Sequence, residues 1–128
     1  MIIRTVLTTK REVVMDGSHL CELFHPYRDP AQIPLGYSIS HAFIGPGEHT
    51  CPHRLKNSSE VYYILSGTGR IHVGNDESAV SSGTMVYIPP GEVQSLENCG
   101  EDDLKFLVVV EPPWTDDDEE CISGGRDS

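Results

Sequence analysis

Short apolar or alternating runs, each closed by Gly, Pro, Asn or Ser, follow one another along the chain. A sustained 3.6-residue period is missing, so long amphipathic helices are not expected. The runs VLTTKREVV, HLCELF, YSISHAFI, EVYYILSG, GRIHVG, ESAV, TMVYIP and LKFLVVVE predict strands. Between them PGEH, SGTG, GNDE, SSG, PPGE and NCGEDD are turn signals, since Gly accepts left-handed backbone and Asn, Asp and Pro favour reversals. Short strands with this punctuation predict an all-β sandwich or barrel. HPYRDPAQIPLG carries three prolines and reads as a loop or arm over the surface.

Alternation also assigns faces. Along EVYYILSG, Glu60, Tyr62 and Ile64 share one face, and Val61, Tyr63 and Leu65 the other. Along YSISHAFI, Ser38 and Ser40 are expected to meet solvent, which turns Ile39, His41 and Phe43 inward. A buried His41 would then need a partner.

Three polar groups stand where chemistry is plausible. His53 lies in an extended PHRL stretch, Glu60 opens an apolar strand, and Gln94 follows the PPGE turn. Antiparallel neighbours can bring all three to one barrel mouth, a common place for a small ligand. Each also has a plain structural reading: His53 and Glu60 as a hydrogen-bonded pair, Gln94 as a backbone or water partner. Tyr62 shares the Glu60 face and is a second catalytic candidate beside it, though an aromatic there is often simply core. Arg54 and Lys56 should face outward, as should His72, whose neighbours Ile71 and Val73 look like core. Cys51 could act as a soft ligand only if Pro52 turns the chain inward.

The spacing of these residues resembles the two motifs of a small single-domain cupin, G-x5-HxH-x3,4-E-x6-G and G-x5-PxG-x2-H-x3-N. Gly47, His53, Leu55, Glu60 and Gly67 follow the first; Gly83, Pro89, Gly91, Gln94 and Asn98 follow the second. Leu55 and Gln94 replace two of the usual histidines. The resemblance implies an all-β cupin fold, the double-stranded β-helix or jelly-roll barrel. It spans the motifs at residues 47–98 and, with the flanking strands, about 10–112. It also implies one divalent metal (Zn, Fe, Mn, Ni or Cu), here held by His53 and Glu60 with the harder oxygen of Gln94. His41 is the best substitute for the ligand lost at Leu55, with His49 and His25 as less favoured alternatives. Cupins often dimerise, so the resemblance implies a homodimer.

Composition narrows the field. The net charge of −11 argues against a nucleic-acid or anionic-membrane partner, and no run approaches the roughly 20 apolar residues of a membrane span. With no signal-peptide pattern, a cytoplasmic location is expected. Cys21, Cys51, Cys99 and Cys121 are scattered and predict free thiols rather than a disulfide frame. The chain divides into a barrel with N-terminal strands and arm, 1–112, and an acidic tail, 113–128, whose DDDEE run reads as solvated and whose SGGRDS end as loose. Trp114, costly to leave exposed, is expected to fold back on the barrel or on a partner subunit.

Three functions fit. One is a metal-binding enzyme acting on a small polar molecule, isomerase-like or oxygenase-like, with Glu60 as ligand or base. The second is a non-catalytic small-ligand carrier or sensor with weak or no metal. The third is a metal-free interaction barrel.

Overall fold

The computed structural model describes residues 1–122. Its described residues form eleven strands: β1 (Glu12–Val13), β2 (His19–Phe24), β3 (Ser38–Ile44), β4 (His53–Leu55), β5 (Ser59–Ser66), β6 (Thr68–Val73), β7 (Asp76–Ser81), β8 (Met85–Ile88), β9 (Gln94–Asn98), β10 (Leu104–Glu111) and β11 (Glu119–Cys121). They pair antiparallel into a six-stranded sheet, β1-β2-β3-β10-β5-β8, and a five-stranded sheet, β11-β4-β9-β6-β7. The two sheets close a jelly-roll barrel, the all-β architecture that the strand pattern predicts. Among the described residues, no helix is long and apolar enough to cross a membrane.

Inward positions grade from polar to apolar along the barrel axis. Toward one end Ala42, Ile44, Ile64, Leu96, Leu104 and Phe106 are closed from water and form the core. Burying side chains of this size stabilises by about 1.5–3 kcal/mol each. Toward the other end Ser38, Ser40, His53 and Glu60 replace them at the same parity. The two motif ends hold loops. At Gly67 φ is +96°, and a Cβ would meet the Asp103 carbonyl oxygen at 2.7 Å, so only glycine fits the β5–β6 reversal. Asn98 Nδ2 donates to the Ile44 and Asp102 carbonyls at 2.9 and 2.8 Å, tying β9 to the 99–103 turn.

Two expectations are corrected here. On β3 it is Ser38, Ser40, Ala42 and Ile44 that face inward, and Ile39, His41 and Phe43 face outward. The serines line the cavity, and the outer face of β3 is covered by distant chain: His19 stacks on Phe43 at 4.5 Å and Arg11 lies over the same ring. The acidic segment is also not a solvated tail as far as it is described. Glu119–Cys121 pairs with β4, and buried Asp118 accepts hydrogen bonds from the Asn57 and Ser58 amides at 2.8 and 3.1 Å. Trp114 folds back onto the core, and its carbonyl lies 2.6 Å from His25 Nε2. The SGGRDS end, 123–128, lies outside the described residues.

Candidate functional site

The polar end of the barrel opens into a cavity of about 620 Å³ whose wall includes His53, Leu55, Glu60, Tyr62, Asp16 and Glu119. His53 and Leu55 come from β4, paired to β9 with His53 opposite Gln94; Glu60 and Tyr62 come from β5. The sequence therefore brings His53, Glu60 and Gln94 to one region, as their spacing suggests.

Within that region their roles separate. His53 is 3% exposed and its Nδ1 lies 2.8 Å from the Cys51 carbonyl. A carbonyl can only accept, so Nδ1 carries a proton and Nε2 is the ring nitrogen left to face the cavity. Nε2 faces Asp16 Oδ2 at 3.8 Å, beyond hydrogen-bonding distance. Gln94, 1% exposed, sits behind the cavity wall and donates from Nε2 to Glu60 Oε1 at 2.5 Å, while its Oε1 has no partner among the described residues. Burial raises the Glu60 carboxyl to about 7 against the opposing pull of His53 and Gln94. Burial likewise raises the Tyr62 hydroxyl and the Glu119 carboxyl, whose Oε1 accepts from Trp114 Nε1 at 2.7 Å.

The other histidines lie elsewhere. His41 points away from the cavity, with Nδ1 2.8 Å from Arg11 Nη2, so it does not replace the group missing at Leu55. Parity misplaces it because serine, not histidine, lines the wall. His25 is buried between Trp114 and Tyr27. His49 is exposed in a bridge to Glu97. His72 lies near Glu77 and Glu97. Cys51 places its thiol beside that of Cys121, which burial and this neighbour raise to about 11. Arg54 pairs with Glu120 at 2.6 Å.

Asp16 and Glu119 are the site residues that sequence reasoning misses. Asp16 sits in the turn before β2 and accepts from the Ser18 amide and hydroxyl at 2.8 and 2.7 Å. Its MDGS context signals only a turn, and Glu119 is hidden in an acidic run.

The cupin domain family model matches residues 40–110. The chain belongs to the cupin family. It is 35% identical over 115 residues to an uncharacterized protein of Methanocaldococcus jannaschii, with 88% of each chain covered. It is also 35% identical over 112 residues to a Thermotoga maritima protein named oxalate-binding protein, with 86% of this chain and 93% of that one covered. Among solved structures, one described as a predicted oxalate decarboxylase from Thermotoga maritima superposes with a TM-score of 0.74. It is 25% identical and covers 88% of this chain and 99% of its own.

Cupins commonly bind a divalent metal, and the donor set here can be tested against that. Leu55 presents an apolar side chain that is 4% exposed and part of the core. Gln94 donates its amide N–H to Glu60, while its Oε1, the oxygen expected as a ligand, stays unpartnered among the described residues. Among the described residues no three His, Cys, Asp or Glu side chains come together as metal ligands. Of the expected set, His53, Glu60 and Gln94 lie together and His41 stands apart on the outer face, so the four do not converge.

Proposed function

We propose that this cupin binds a small polar organic molecule in its barrel cavity and moves a proton on it, with His53 as base and Glu60 as acid. The observation that carries this reading is the His53 imidazole, whose Nδ1 is engaged by the Cys51 carbonyl while Nε2 is turned toward Asp16 and the cavity. That arrangement selects the tautomer a general base needs. Asp16 stabilises the imidazolium that forms on proton uptake. Glu60, near neutral in titration, holds a proton it can deliver, and Gln94 orients it from behind. Tyr62 and Leu55 supply a water-poor wall that strengthens both interactions. No step requires a metal.

A binding-only reading is favoured by the relative named oxalate-binding protein. Both are tested by incubating the protein with small sugars, hydroxy ketones and keto acids, which carry C–H groups next to a carbonyl, in D2O and following carbon-bound deuterium by NMR. Exchange in wild type that is lost in His53→Ala and Glu60→Gln is the expected result. Ligand-induced shifts without exchange would establish the binding-only reading instead, and the absence of both would overturn the cavity as a ligand site.

A further inference from the structure

The N–H donors nearest His53 are already spent, and the hydroxyls of Ser38, Ser40 and Tyr62 on the wall can accept as well as donate. The Ser18 hydroxyl and amide point at Asp16, Trp114 Nε1 at Glu119, and the Gln94 amide at Glu60. At the rim Lys10 faces Glu12 at 3.4 Å, while Arg28 faces Glu22 at 3.4 Å and lies over Trp114. The charged and ring groups that face the cavity around His53 are acceptors: Nε2 itself and the carboxylates of Asp16 and Glu119. These groups are close enough to act on one another and on Glu60 electrostatically. His53 adds an observation independent of the acidic cluster, because it is almost wholly buried and its Nε2 has no atom of Asp16 within hydrogen-bonding distance. Below these acceptors the wall is apolar, with Leu55, Tyr62, Phe106 and Val108.

We propose that the cavity takes a small organic cation, an ammonium on a short apolar body, with its N–H groups directed at His53 Nε2, Asp16 and Glu119. This inference rests on the cavity being the ligand site. An ammonium offers three donors and a positive charge to a wall of acceptors, and its body fits the apolar part below. A dicarboxylate such as oxalate presents only acceptors and meets like charge, so this chain differs in ligand class from what its relative's name states.

The test is an isosteric series read by calorimetry and thermal shift at a pH above the Glu60 titration: butylammonium, 1-butanol, butyrate and oxalate. Butylammonium should bind in preference to the other three. Asp16→Asn and Glu119→Gln, which keep their hydrogen bonds to Ser18 and Trp114, should each weaken it about tenfold or more. Equal binding of butanol, or tighter binding of butyrate or oxalate, would overturn the cation class, as would affinity unchanged in both variants. If such binding is lost in His53→Ala, the cavity reading survives that failure. No binding by any of the four overturns both.

Discussion

Gln94 on β9 donates a 2.5 Å hydrogen bond to Glu60 on β5, joining the two sheets through a pair of buried side chains. The pair holds a carboxyl that prefers to be protonated in the fold. Unfolded, Glu60 releases its proton near its ordinary value of 4.5; folded, near 7. The native state binds the extra proton between these values, so the Glu60 contribution to stability should fall as pH rises from about 4.5 to about 7. The contribution is at most about 3 kcal/mol. In urea unfolding across this range, wild type should lose stability relative to Glu60→Gln as pH rises. Gln94→Leu, which leaves the carboxyl unpartnered, should lower stability by about 1–3 kcal/mol.

Leu55 and Gln94 both face the barrel interior beside His53 and Glu60. Leu55→His with Gln94→His should raise divalent-metal binding above that of wild type, read as metal content after loading and dialysis. Without metal the double variant should be about 2–3 kcal/mol less stable, because an imidazole replaces a buried aliphatic group. Stoichiometric zinc, manganese, iron or nickel in wild type, lost in His53→Ala, would restore the metal-dependent reading.

On the outer face of β3, His41 Nδ1 lies 2.8 Å from Arg11 Nη2, and burial followed by the charges of Arg11 and Lys105 lowers its pKa. A folded pKa below the unfolded one means that protonation favours the unfolded chain. The His41 contribution to stability should therefore fall as pH drops below about 6.5, the ordinary histidine value, opposite in sign to that of Glu60. Arg11 also donates to the His19 and His41 carbonyls, so the segment before β2 should become sensitive to protease under the same conditions. His41→Gln, still an acceptor but not titratable there, should abolish the pH dependence of cleavage.

Tyr63, Leu65, Met85 and Tyr87 lie exposed on the outer face of β5 and its edge neighbour β8. An apolar sheet face beside an open edge favours pairing between copies. Sedimentation equilibrium should find a dimer in wild type and a monomer in the Met85→Glu, Tyr87→Glu double variant. An unchanged mass would place the interface elsewhere or show that there is none.

Asp118 closes the β4–β5 turn from the C-terminal side through the Asn57 and Ser58 amides. Asp118→Ala leaves buried donors without their carboxylate and should destabilise by about 2–3 kcal/mol, measured by thermal unfolding. A surface acid in a solvated run would show almost no effect.

The cupin motifs, the strand runs and the shared face of Glu60, Tyr62 and Ile64 on β5 were legible in sequence because they are local. A turn needs its glycine, and a carboxylate opening an apolar strand must share the parity of its neighbours. His53 and Glu60 follow from that alone. The orientation of β3 was not legible, since parity separates two faces without saying which is covered; Arg11 and His19 settle it from far along the chain. Asp16 and Glu119 come from near the two ends of the described chain, and only closure of the barrel sets them around one imidazole. Motif spacing placed His53; burial and long-range pairing decided its electrostatic surroundings.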